Sequence, residues 1–294
     1  MSRFVYTHFQ SKIFTGFHHQ ILHQKGYIIM TSIFDRDIIR NNCEEFFSLY
    51  SFTKGQTSDM CSNKITHTRH VAENCTALAK YMGLDDYDTD LAWLIGELHD
   101  FARFGQAVAT KTFRDSDRFN HAKLGARILF VHGMIEDIIP NYADVPEQDR
   151  TVMYKAVYYH GDFALPDGLT DRERLFCEII RDADKLDIFR NSVYGGWKTT
   201  CGYTEEEIFS SDISPKVEEA FFQHRTANNT DCVTPADSHV RHIAMCFGLV
   251  SDAARNRAVE QGYLHRLMEH DFTRPDVQER YEKMKAQVTE FLGL

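Results

Sequence analysis

From residue 32 onward, apolar side chains recur every three or four positions. Ile38, Ile39, Phe46, Phe47 and Tyr50 form one stripe. Val71, Cys75, Leu78, Ala79 and Met82 form a second, and Leu91, Leu94, Ile95 and Leu98 a third. That spacing is the 3.6-residue period of a helix with one face turned to a core. Asp90, just before the third stripe, is the expected N-cap of its helix. Further helices are predicted near 120–133, 148–160, 171–191, 204–209, 214–225, 236–261 and 275–292. Alternating strand patterns with glycine-bearing turns are absent, as are G-x-G-x-x-G and P-loop motifs. All six prolines fall in or at the edges of predicted connections. The pattern predicts an all-α protein, a helical bundle with additional C-terminal helices packed alongside and no internal repeat.

Residues 1–29 break the pattern. They hold no Asp or Glu, carry Arg3, Lys12 and Lys25, and include His8, His18, His19 and His23. No central apolar stretch leads to a small-residue cleavage site, so a secretory signal is not expected. We read 1–29 as a poorly ordered leader and 30–294 as a single helical domain. The apolar runs fall well short of the ~18–20 residues that span a bilayer, which excludes a membrane-spanning helix.

Charge and cysteine content narrow the class. The net charge is −10, from 43 Asp+Glu against 33 Lys+Arg, and this argues against general nucleic-acid binding, which needs clustered cations. A small phosphorylated ligand in a locally basic pocket remains compatible. The 7 cysteines are scattered without a C-x-x-C pair, as expected for free thiols of a cytoplasmic protein.

The 15 histidines carry the candidate chemistry. His99-Asp100 ends the apolar run of residues 91–98, where unpaired polar groups are costly. His67 is expected to open the preceding helix, His121 opens the helix near 120–133, and His160 closes the one near 148–160. Asp184 lies inside Ile179-Ile180-Arg181-Asp182-Ala183-Asp184-Lys185-Leu186. Six imidazole or carboxylate groups therefore sit on five predicted helices, and nitrogen and oxygen ligands converging from separate helices are how bundles build metal sites.

The order His67 … His99-Asp100 … Asp184 resembles the H…HD…D signature of the HD-domain metal-dependent phosphohydrolase superfamily. The contexts His67-Thr68-Arg69-His70-Val71-Ala72, Leu98-His99-Asp100-Phe101-Ala102-Arg103-Phe104 and Arg181-Asp182-Ala183-Asp184-Lys185-Leu186-Asp187 carry the likeness over about residues 60–190. His121 and His160 fall where binuclear members have two further histidines. The resemblance implies an all-helical bundle binding one or two divalent ions (Mn, Fe, Zn, Co or Mg). One ion would take His67, His99, Asp100 and Asp184; the second would take His121 and His160, with Asp100 bridging. Some departures are visible. His160-Gly161-Asp162 lacks the doubled histidine and Gly-Tyr-Pro of cyclic-di-GMP phosphodiesterases, and no Glu-Asp pair follows His99-Asp100 as in alarmone hydrolases. Phe101-Ala102 replaces a common Ile-Gly, and His70 stands where a common form of the first motif has Arg.

The activity so implied is hydrolysis of a small phosphoester, a nucleotide or related compound, by a metal-activated water. Asp100, Lys185 and Arg103 are the expected catalytic residues, and Arg103, Arg181 and Lys185 the expected substrate-phosphate contacts. Asp187, near Asp184, is either an orienting partner of a ligand or a solvated residue. The same ligand order also resembles the di-iron oxygenases of this superfamily, which act on small polar substrates. A non-catalytic regulatory module is the third reading. Trp93 and Trp197 read as core or pocket wall. His239 with His242, and His265 with His270, read as ordinary helix faces because no H-E-x-x-H is present. Phe221, Phe222, Phe247 and Val250 either cover the bundle or form a homodimer contact.

Overall fold

In the computed structural model, residues 34–50, 55–116 and 119–293 are described, all within one unit, Ser32–Leu294. The expectation for residues 1–29, with their four histidines, lies outside the described residues. The described chain is all-α; its one β feature is an isolated bridge between Ser116 and Phe119. No helix among the described residues is long and apolar enough to cross a membrane. Every cysteine has a free thiol.

Helix α1 (Arg36–Ser48) starts where Asp35 accepts hydrogen bonds from the Asp37 and Ile38 amides, the standard use of an N-cap carboxylate. Its buried face is Ile39, Cys43, Phe46 and Phe47; Ile38, expected in that stripe, is 44% exposed. One residue earlier is 100° around the helix, which is enough to turn Ile38 outward. Helix α2 spans Gln56–Tyr81, so His67 lies in mid-helix instead of opening it. The polar stretch 56–66 concealed this start: it contains no proline or glycine, and Gly55 at φ 60° turns the chain in.

Helix α3 (Asp86–Leu98) is capped by Asp85, which accepts from the Asp88 amide, and not by Asp90. Asp90 sits a turn inside and accepts from Arg36 at 2.7 Å. Every residue from Leu91 to Leu98 is buried, including Glu97, which Arg40 pairs at 2.7 Å. A helix apolar on all sides belongs at the centre, and α2 lies directly along it. Gly96 permits this closeness, since a Cβ there would stand 2.6 Å from the Ala72 Cα.

The chain continues through α4 (Arg103–Thr110), α5 (His121–Ala126) with a π-turn at Arg127–Val131, α6 (Ile135–Ile138), α7 (Glu147–Tyr159) and α8 (Asp171–Tyr194). Helix α8 opens with a capping box of Thr170 and Glu173 and packs on α2 and α7. Then follow α9 (Trp197–Thr200), α10 (Glu205–Ser210), α11 (Pro215–Phe222), α12 (Pro235–Ala244), α13 (Asp252–Gln261), α14 (Tyr263–Met268) and α15 (Pro275–Leu292). The single helix expected over 236–261 is two, α12 and α13. The break is held by buried Asp182 of α8, whose carboxylate accepts from the Val250 and Ser251 amides at 3.1 Å and the Ser251 hydroxyl at 2.8 Å. At the break, Gly248 lies against Lys185; a Cβ there would stand 2.9 Å from the lysine Cε.

The C-terminal helices close round an aromatic cluster. His239 is buried between Trp197, Phe209 and Tyr281, its Nε2 3.0 Å from the Tyr281 hydroxyl, and burial pushes it down to about 3. His270 stacks on Phe209, and His265 faces Glu269 on the surface. Trp93 is fully buried beneath the guanidinium groups of Arg36 and Arg40. Phe221 joins the core, whereas Phe222 and Val250 are exposed.

Candidate metal centre

Two helices end in histidine for the same local reason. His99 follows the last residue of α3 and His160 the last of α7. At a helix C-terminus the final carbonyls lack intrahelical donors, and each imidazole supplies one through Nδ1. His99 donates to the Gly96 carbonyl at 2.7 Å, and His160 to the Val157 carbonyl at 2.8 Å. His121, the first residue of α5 after the Asn120 cap, donates through Nδ1 to Asp115 at 2.6 Å. His67 donates in the same way to Asp187 at 2.6 Å. With every Nδ1–H spent on an oxygen, each ring in its neutral form carries its lone pair on Nε2.

These four Nε2 atoms converge with two carboxylates. His67 Nε2 lies 3.4 Å from His99 Nε2, 3.2 Å from Asp184 Oδ1 and 3.5 Å from Asp100 Oδ2. His99 Nε2 is 3.5 Å from Asp100 Oδ2 and 3.9 Å from Asp184 Oδ1. On the other side, His121 Nε2 is 2.9 Å from His160 Nε2, and these atoms are 3.4 and 3.7 Å from Asp100 Oδ1. Asp100 thus turns one oxygen to each histidine pair. His67, His99 and Asp184 form one group able to hold a metal ion, and His99, Asp100 and His160 another. The Nε2 atoms of each pair lie 3.4 Å and 2.9 Å apart, close enough to share a proton or to ligate one cation together. The donor set therefore fits divalent ions with a preference for imidazole and oxygen.

Burial disfavours a charged His67, but hydrogen bonds to Asp100, Asp184 and Asp187 outweigh it and push the imidazole up to about 10. Burial lowers His99 and takes His121 down to about 4 despite the Asp115 bond. Burial would also raise Asp100, yet Lys64, His99 and Arg103 hold its carboxyl well below the usual range; Asp184 is lowered mainly by His67, against its own burial. The carboxylates of the centre are held ionised by the cations and the His67 imidazole beside them.

The cations expected to meet substrate differ in their surroundings. Arg103 is fully engaged, with Nε 3.3 Å from Asp100 Oδ1 and Nη1 donating to Gln106, the Phe113 carbonyl and Asp115. Arg181 reaches the carbonyls of Tyr159, His160, Asp162 and Phe163, so it ties down the chain on either side of His160. Lys185 donates to the Arg181 carbonyl at 3.0 Å, and burial pushes it down to about 8. Asp187 is buried and bonded to His67, the orienting alternative of the two weighed for it.

Two residues at the centre escaped sequence reasoning. Lys64, one turn before His67, places Nζ 2.5 Å from Asp100 Oδ2. Its signal was i, i+3 spacing to His67, visible only once the helix was known to begin at Gln56. Asp115 lies in a non-helical stretch where periodicity carries no information. The described structure is thus helical, with a buried His/Asp cluster able to bind metal, and is compatible with an HD-type arrangement. No protein-family model, curated protein or solved structure matches the chain.

Proposed function

We propose that the chain is a metal-dependent phosphohydrolase of the HD type, acting on a small phosphoester such as a nucleotide. One observation carries the reading: the Asp100 carboxylate divides its oxygens between two histidine pairs whose Nε2 atoms all face inward. In this reading His67, His99, Asp184 and Asp100 Oδ2 hold one divalent ion, and His121, His160 and Asp100 Oδ1 hold a second. Such ions supply positive charge for the phosphoryl oxygens and lower the pKa of a water towards neutrality.

The chain's own residues do the rest. Asp187 and Asp115 fix the tautomers of His67 and His121, so that Nε2 and not Nδ1 faces the centre. Arg181 holds the segment that carries His160. Lys64 and Lys185 are partly exposed, at 15% and 18% of their side chains, and lie beside Asp100 and Asp182. They are the cations with freedom to meet a substrate phosphate, whereas Arg103 is engaged as a brace. The ammonium of Lys64 has one bond to exchange, that to Asp100.

The test is phosphate release from a panel of nucleotides, sugar phosphates and phosphodiesters, using full-length protein stripped of metal and refilled with Mn²⁺. Release by the wild type and none by Asp100→Ala is the expected result. Metal binding without release across the panel, together with oxygen uptake after Fe²⁺ loading, would overturn the hydrolase in favour of the oxygenase.

A further inference from the structure

Each half of the centre contains a histidine backed by a carboxylate that is itself backed by an arginine. In the first, His67 Nδ1 meets Asp187 at 2.6 Å and Arg190 Nε meets the other Asp187 oxygen at 2.5 Å. In the second, His121 Nδ1 meets Asp115 at 2.6 Å and Arg103 Nη1 meets the other Asp115 oxygen at 3.1 Å. The two chains of contacts match, but their foundations do not. Asp187 is 1% exposed and sits three residues after Asp184 on the same long helix, α8. The Asp115 side chain is 31% exposed, on the non-helical stretch between α4 and α5. That stretch is tied down chiefly from α4. Arg103 donates to the Phe113 carbonyl at 2.6 Å, and Gln106 donates to the Arg114 carbonyl and to Asp115, both at 3.1 Å.

Donor charge differs too. The first half has two carboxylates, Asp184 and Asp100 Oδ2. The second has only Asp100 Oδ1, and Arg103 Nε stands 3.3 Å from that oxygen. Lys64 sets a positive charge on the first half through one ion pair, with Asp100, its ammonium also lying over the Phe113 ring. Arg103 is fixed by four acceptors, Asp115 among them.

We infer that the second half-site is the weaker of the two, and that Asp115 is the positioning residue that sets its affinity for a divalent cation. The inference rests on the binuclear reading above. Loss of the carboxylate behind His121 frees the ring to rotate and removes the acceptor that fixes its tautomer. Such outer partners change metal affinity by about 10–100-fold.

The experiment titrates EDTA-treated full-length protein with Mn²⁺, by calorimetry and by electron paramagnetic resonance, for the wild type, Asp115→Asn and Asp187→Asn. The wild type is expected to take up two ions in two affinity classes and to show the signal of a spin-coupled pair. Asp115→Asn is expected to lose about 10–100-fold in the weaker class alone, so that an isolated Mn²⁺ signal persists at one ion per chain. Asp187→Asn is expected to weaken the tighter class. An Asp115→Asn chain that keeps the coupled signal and both affinities overturns the inference and leaves the binuclear reading intact. So does equal loss of both classes, or a lower melting temperature in the absence of metal, which would mark a general structural role. A wild type that takes up one ion or none overturns the binuclear reading itself.

Discussion

A close approach of two helices, α2 and α3 at Ala72 and Gly96, bears on whether the centre can form, and a single methyl group tests it. Gly96→Ala puts a Cβ 2.6 Å from the Ala72 Cα and 2.9 Å from its amide nitrogen. Carbon atoms rest about 3.5–4 Å apart, so α2 and α3 must separate by about 1 Å, and both neighbours are backbone that no rotamer change can move aside. Overpacking of this kind costs about 1–3 kcal/mol, and the Gly-to-Ala gain in helix propensity returns about 1 kcal/mol. Taking the upper part of that range, a net loss of about 1–2 kcal/mol lowers the melting temperature by about 2–8 °C in a chain of this size. The separation also reaches the site. His99 lies three residues on, with Nδ1 bound to the Gly96 carbonyl and Nε2 3.4 Å from His67 on α2. Metal affinity should therefore fall together with stability. Gly105→Ala is the control, because its nearest neighbour would be the Tyr50 hydroxyl at 3.7 Å, an ordinary contact. That variant should be neutral or slightly stabilising, with metal binding unchanged. Scanning calorimetry and Mn²⁺ titration of both variants check this. If Gly96→Ala melts at or above the wild type and binds metal equally well, the argument from helix approach is refuted.

Two further outcomes are expected. Because an ion held by the folded centre stabilises it by mass action, Mn²⁺ at 100 times its dissociation constant adds about 2.7 kcal/mol, or about 5–11 °C in melting temperature; Asp100→Ala should abolish the shift, and no shift in the wild type with any of Mn²⁺, Fe²⁺, Zn²⁺, Co²⁺ or Mg²⁺ would refute a metal centre. His239 is neutral when folded, pushed down to about 3 by burial, against about 6.5 unfolded, so its contribution is complete above pH 6.5 and is lost as pH falls towards 3. At pH 5 that loss is about 2 kcal/mol, and metal-free His239→Gln should therefore lose less stability than metal-free wild type between pH 7 and pH 5; equal losses in chemical denaturation would contradict it.

The parts of this protein that were legible in its sequence are those where neighbours along the chain decide the outcome. Val71, Cys75, Leu78 and Ala79 are buried on one face of α2, and Leu91 to Leu98 form the central helix, because apolar spacing reports a helix face directly. His99 and His160 were legible as helix-end residues for the same reason, since a residue that closes an apolar run faces what the run is buried against. What stayed hidden depends on contacts across the chain. The break between α12 and α13 is made by Asp182, whose bonds to Val250 and Ser251 span 68 and 69 residues. The true start of α2 was hidden because residues 56–66 present no apolar stripe. With it went Lys64, whose bond to Asp100 spans 36 residues.

Asp115 shows why outer partners are the hardest to read. It reaches His121 across only six residues, but it does so from a stretch without period, and its place is set by Arg103 and Gln106 on the preceding helix. Direct ligands advertise themselves as polar groups where the apolar pattern demands none, because burying them is costly unless something binds. An outer partner carries no such mark: Asp115 is a partly exposed acidic residue in a polar connection, which is what most acidic residues are. Asp187 is legible only through its spacing from Asp184 on the same helix. The asymmetry inferred for the two half-sites follows the same division. The first half is built from the interiors of α2 and α8 and the end of α3, all of which the apolar pattern marks, while the second leans on a connection whose meaning exists only once the helices have assembled around it.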